Sequence, residues 1–173
     1  MQDLAARLAR GETAAFAELY DVCGNKLHHY LVVRLGSRDA ADEVLQETFL
    51  RLARSHRRFE SVDNPVAYAF TVARNEAARR RERQGRERGA CSAGELFEIA
   101  DRDDLESREA AQAVAEALGR LNEDQREVVE LKFYSGLTFR EIADVTGVPK
   151  GTAATRYRAA LDKLRSFLAK EWS

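Results

Sequence analysis

The chain has 173 residues, enough for one sizeable domain or two small ones. Hydrophobic residues make up 45% of it, which argues against a disordered chain, and a net charge of −1 argues against a uniformly basic nucleic-acid coat. With only two prolines and an abundance of Ala, Leu, Arg and Glu, it reads as an all-α protein.

The opening MQDLAARLARGE carries charges throughout and has no signal-peptide core. The first strong helix is TAAFAELYDVCGNKLHHYLVVRLG. Phe16, Leu19, Tyr20, Cys23, Leu27, Tyr30, Leu31 and Leu35 recur at helical spacing and predict one apolar stripe. Gly24 is placed to bend this helix and Gly36 to end it. The next helix is SRDAADEVLQETFLRLARSH, capped by Ser37 or Asp39. Ala41, Val44, Leu45, Thr48 and Leu52 form its predicted buried face, and Asp42, Glu43, Gln46 and Glu47 its polar face. A polar stretch, RRFESVD, breaks the pattern. NPVAYAFTVARNEAARRRER then opens with Asn64 as cap and Pro65 at the first helical position. Three helices with short connections predict a small bundle over residues 12–83.

Periodicity fades over residues 84–107, which read as a linker with at most a short helical piece at Leu96 to Ile99. The last third is a second helical unit. EAAQAVAEALGRL is one helix. NEDQREVVELKFYSG is the next, with Asn122 and Gln125 at capping-box spacing and Gly136 at its end. TFREIADVTG repeats that spacing with Thr138 and Glu141. A long helix follows, with Ala153, Tyr157, Ala160, Leu161, Leu164 and Leu168 as its apolar stripe. The fold expected is therefore all-α: two small helical bundles joined by a flexible linker.

Charge is segregated along the chain. RNEAARRRERQGRER holds seven arginines against three glutamates, GELFEIADRDDLESRE is mostly acidic, and Lys150 to Lys170 carries six basic side chains and one acid, Asp162. Blocks of alternating sign predict faces with different partners. Cys23 and Cys91 lack a second cysteine at metal-ligand spacing, so free thiols in a reducing cytosol are expected, with no metal and no cofactor. No apolar run approaches ~18 residues, so no membrane insertion is expected. There is no Gly-rich phosphate loop and no nucleophile-base pair, so an enzyme is not expected. His28, His29 and His56 read as surface histidines.

The bend TGVPKG between a short acidic helix and a long basic one fits a helix-turn-helix. Ala143 supplies a small contact residue, Gly147 tolerates positive φ, and Val148 plugs the corner. In such a motif the second helix enters the major groove. Its outer face here carries Thr155, Arg156, Arg158, Lys163 and Arg165, which suit phosphates and base edges. A bare helical hairpin with a solvated basic face would show some of the same features.

At this point a resemblance becomes specific. REVVELKFYSGLTFREIADVTGVPKGTAATRYRAALDKL resembles region 4 of the extracytoplasmic-function sigma factors, the two-domain group of the sigma-70 family. DEVLQETFLRLARSHRRFE is similar to region 2.2, and NPVAYAFTVARNEAARRRER to regions 2.3 and 2.4. The blocks stand in the family's order and cover nearly the whole chain. The resemblance implies a region 2 domain over residues 1–83, an acidic linker over 84–108 and a region 4 domain over 109–173. It implies a cytoplasmic factor that binds core RNA polymerase through the β′ clamp helices and the β flap, binds promoter DNA, and is held by an anti-sigma factor.

Residue by residue, the resemblance gives Asp42, Glu43, Gln46 and Glu47 to polymerase docking. It gives the −10 element to the loop Phe59 to Asn64, with Phe59, Ser61 and Asn64, and to the helix after it. There Asn75 lies near a flipped base, Tyr68 stands where an aromatic supports the melted strand, and Arg74, Arg79, Arg80, Arg81 and Arg83 track phosphates. Core packing is an equal expectation for Tyr68. The −35 element falls to Arg140, Lys150, Thr152, Thr155, Arg156 and Arg158. Where the family commonly has GTVKSRLHRA this chain has GTAATRYRAA. Ala154 removes a long basic side chain from the DNA face, and Ala153 and Ala159 also depart. Two other readings are a sigma-like decoy that binds an anti-sigma factor without promoter DNA, and a plain helix-turn-helix regulator. The acidic run Glu95 to Glu109 is expected to cover the basic faces in the free chain, an effect that salt would screen.

Overall fold

The computed structural model describes residues 2–85 and 116–171, and every regular element among them is helical. They fall into two units, one built mainly from residues before 92 and one mainly from those after. Most of the linker, the short helix expected at Leu96 to Ile99, Cys91, the acidic run and the helix start at Glu109 lie outside the described residues.

The first unit begins with a helix the sequence reading missed. α1 (Gln2–Ala9) has eight residues, too few to hold alone in water. Packing holds it: Leu4, Ala5 and Leu8 are buried, and α1 lies against α2 (Thr13–Leu35) and the 3-10 segment His56–Ser61. Gly11, at φ 76°, turns the chain between α1 and α2.

α2 runs unbroken through Gly24, contrary to the expected bend. A Cβ there would lie 3.2 Å from the Tyr20 ring, so the glycine instead lets that ring lie along the helix. Tyr20 is consequently 47% exposed, meeting Phe49 edge-on, rather than part of the buried stripe. Gly36 ends α2 at φ 66°, its N–H donating to Val32 O.

α3 (Arg38–Arg54) is capped by Ser37, whose hydroxyl oxygen accepts from Ala40 N–H. All five predicted inner positions, Ala41, Val44, Leu45, Thr48 and Leu52, are buried. Thr48 satisfies its hydroxyl by donating to Val44 O at 2.7 Å. α4 (Pro65–Gly85) starts at the predicted cap, Asn64 Oδ1 accepting from Val66 N–H at 2.9 Å. Its inner face is mostly small, with Ala69, Ala73 and Ala77 fully buried. That lets α4 close on α2 and α3 around Phe70, which meets Tyr30 edge-on at 5.5 Å.

The later described residues form helical residues 116–119, α5 (Glu123–Phe133), α6 (Phe139–Thr146) and α7 (Lys150–Glu171); residues 144–147, the end of α6 and its turn, are grouped with the first unit and the rest with the second. Arg126 donates to the carbonyls of Leu118, Gly119 and Leu121, closing the turn before α5. Asn122 caps α5, accepting from Gln125 N–H at 2.8 Å. The reciprocal arm of the expected box is not made, because Gln125 accepts from Lys163 Nζ on α7 instead. The α6 box is complete: Glu141 accepts from Thr138 N–H and hydroxyl, and Thr138 accepts from Glu141 N–H. Leu121, Val129 and Ala160 form a core that joins α5 to α7, flanked by Tyr157 and Leu164.

Candidate functional site

On α3 the polar face stands opposite the buried one. Asp42, Glu43 and Gln46 are exposed and Glu47 is partly so. The acids are not bare. Asp42 meets His28 Nε2 at 3.1 Å, Glu43 pairs with Arg80, and Glu47 lies 3.6 Å from Arg83. This acidic face of α3 is therefore laced to the arginines of α4.

The segment assigned to the −10 element divides into buried and exposed parts. Phe59 is 1% exposed, edge-on to Phe16 at 6.2 Å and Tyr68 at 5.3 Å. That corrects its expected place among the DNA contacts: a ring so enclosed offers no face to a base. Tyr68 is half-buried in the same cluster, so packing occupies the ring expected to support the melted strand. Asn64 commits its side-chain oxygen to the α4 cap. Ser61 is exposed, its hydroxyl donating to Arg58 O. Asn75 is exposed on α4, Arg74 is half-buried, and Arg79 and Arg80 pair with Glu76 and Glu43.

Two residues in this unit have roles the sequence reading did not assign. Glu76 is 4% exposed and accepts from Arg51 on α3 at 2.7 Å and Arg79 at 2.9 Å. Its i,i+3 spacing from Arg79 was legible, whereas the partner on α3 needs the fold. Around it runs a groove lined by Glu47, Leu50, Arg51, Arg54, Arg79 and Arg83. His56, read as a surface histidine, is part-buried and bonded to Ala9 O at 2.7 Å. His29 is likewise half-buried, and burial together with neighbouring His28 lowers its pKa.

Gly147 adopts φ 72° at the turn between α6 and α7, as the bend requires. Lys150 opens α7, and Arg140, Lys150, Thr155 and Arg158 are exposed. Thr152 is half-buried, and Arg156 is drawn to Asp124 on α5 at 2.7 Å. Ala153 is fully buried, so this departure from the family pattern sits in the core, whereas Ala154 is half-buried. Lys150, exposed at the start of α7, suits phosphate, which helix N-termini also attract.

Among the described residues no group of His, Cys, Asp and Glu is placed to hold a metal. Cys23 is buried, donates to Leu19 O, and has its thiol pK pushed up to about 12 by that burial. Among the same residues no helix is long and apolar enough to cross a membrane.

Comparison with known proteins adds to this geometry. Family models for Sigma-70 region 2 and for Sigma-70, region 4 match residues 19–87 and 111–164. The ECF RNA polymerase sigma factor RpoE of Cereibacter sphaeroides is 32% identical over 161 residues, covering 91% of this chain and 88% of that protein. The ECF RNA polymerase sigma factor BldN of Streptomyces coelicolor is 32% identical over 166 residues, 92% of this chain; the match spans 62% of BldN. The sigma factor RpoE solved with the anti-sigma factor NepR from Bartonella quintana matches with TM-score 0.72 and 27% identity, over 88% of this chain and 95% of that one. CnrH, solved with the cytosolic domain of CnrY, has the same fold, with TM-score 0.72 and 24% identity over 98% of this chain and 97% of that one.

Proposed function

The chain belongs to the extracytoplasmic-function group of the sigma-70 family, and from that premise we propose how its residues divide the work of directing core RNA polymerase to promoters. As a sigma factor of this group, it brings polymerase to promoter DNA and initiates transcription. The polymerase supplies the nucleotide chemistry, and the factor works beside it in the cytoplasm.

Three surfaces share the task. The α3 face of Asp42, Glu43, Gln46 and Glu47 docks on the β′ clamp helices, where exposed carboxylates complement a basic partner. The loop with Ser61, together with Asn75 and the α4 arginines, holds the melted −10 strand; a carboxamide offers donor and acceptor to one base edge. Arg140, Lys150, Thr155 and Arg158 around the helix-turn-helix meet the −35 duplex, and the unit also docks on the β flap. The observation that carries this reading is the exposure of Asn75 on α4 and of Asp42 and Glu43 on α3, neighbouring helices of one unit. By likeness to RpoE of Bartonella quintana, an anti-sigma factor holds the chain when it is idle. The test is transcription reconstituted with core polymerase, comparing wild type with a variant neutralised at Asp42, Glu43 and Glu47. Unchanged core binding by that variant would refute the docking face.

A further inference from the structure

We propose that α1 and His56 form a brace that fixes the loop reading the melted promoter strand, making His56 a positioning residue for promoter selection. The inference rests on the reading that residues 59–64 and α4 hold the −10 strand.

His56 opens the 3-10 segment that leads into this loop. Its Nδ1 lies 2.7 Å from the carbonyl oxygen of Ala9, the last residue of α1, 47 positions away. A carbonyl only accepts, so the contact places the imidazole proton on Nδ1. The ring also lies over Gly11, where a Cβ would sit 3.6 Å from it. The reversal at Gly11, at φ 76°, thus brings the end of α1 beneath His56.

Two further contacts complete the clamp. Leu8 of α1 is fully buried, and Arg7 pairs with Glu18 on α2 at 2.6 Å, so α1 is itself anchored. Three residues beyond His56, Phe59 is sunk between Phe16 and Tyr68. The segment is therefore pinned at His56, at Phe59 and at the Asn64 cap, while Glu60, Ser61 and Asp63 remain exposed. A loop that receives one unstacked base discriminates only if its polar groups stay within a fraction of an ångström of the base edge. The His56 bond ties that position to a helix lying outside the three-helix core.

The test is promoter selection by the full chain with core polymerase, on templates randomised at both promoter elements. Wild type is compared with His56→Ala and His56→Asn; the asparagine amide nitrogen falls close to the imidazole Nδ1 and keeps the donor. His56→Ala is expected to cut enrichment at −10 positions about three- to tenfold, the range of one hydrogen bond. Enrichment at −35 positions and core affinity stay unchanged, and His56→Asn recovers most of the loss. A −10 enrichment unaltered in His56→Ala overturns the brace. So does a parallel loss at both elements, or an asparagine variant as poor as the alanine one. A wild type with no −10 selection at all overturns the underlying reading, and the brace with it.

Discussion

Glu43 on α3 and Arg80 on α4 form an ion pair that joins the face assigned to polymerase to the arginines assigned to DNA. Glu47 and Arg83 repeat the link at 3.6 Å. Two of the carboxylates proposed for the polymerase, Glu43 and Glu47, thus pair with two of the proposed DNA arginines, Arg80 and Arg83.

Replacing both acids, as Glu43→Gln and Glu47→Gln, should lower core affinity roughly tenfold at low ionic strength, less as salt screens the contact. The same variant should bind single-stranded DNA more tightly without polymerase. The gain should stay below about thirtyfold, since the two ion pairs are worth less than about 1 kcal/mol each. Fluorescence anisotropy on one oligonucleotide and a core pull-down measure the two effects. Opposite signs support the shared-carboxylate arrangement; a loss in both speaks against it.

Glu76 is the buried counterpart of these surface pairs. Glu76→Ala would leave Arg51 and Arg79 facing an emptied site and should destabilise the first unit by about 1–3 kcal/mol. Glu76→Gln keeps an acceptor and should cost less. Urea unfolding of the full chain, followed by circular dichroism, separates the two variants.

For Asn75, the prediction is base-specific. Asn75→Ala should reduce transcription more on the preferred −10 sequence than on one changed at the flipped base, because only the former uses the amide. An equal loss on both templates would make Asn75 a structural residue.

Much of the framework could be read from residue spacing. The inner face of α3 follows helical periodicity, and the Asn64–Pro65 start, the Gly36 stop and the Thr138–Glu141 box are local devices whose partners lie within four residues. What the sequence hid is non-local. α1 is too short and too charged to announce itself, and depends on packing against a segment some 50 residues away. Phe59 stood inside a polar stretch, and nothing local shows that Phe16 and Tyr68 close over it. The polar face of α3 and the basic stretch of α4 were legible; that Glu43 and Glu47 meet Arg80 and Arg83 across 37 and 36 positions was not.

Cys23 gives a chemical check on the core. With Cys91→Ser in place, only this thiol remains, and it is buried with a pK raised to about 12. A disulfide reagent at pH 8 should react slowly with the folded chain and fast in urea. The folded state holds this proton more tightly than the unfolded one. Its contribution is therefore complete below the unfolded value of 9.0 and is lost as pH rises from there toward about 12. Stability should fall accordingly in alkaline buffer, less steeply in a Cys23→Ala variant that folds.

On the proposed function, this chain makes core polymerase selective for a promoter through two separate elements. Run-off transcription measures it directly, with wild-type chain, core enzyme and templates randomised at both elements. Transcripts are expected only when both proteins are present, from templates enriched at two blocks. Asn75→Ala should flatten the −10 block alone, and Arg158→Ala the −35 block alone. Enrichment of duplex by the chain without polymerase, or polymerase binding with no template preference at either block, would contradict it.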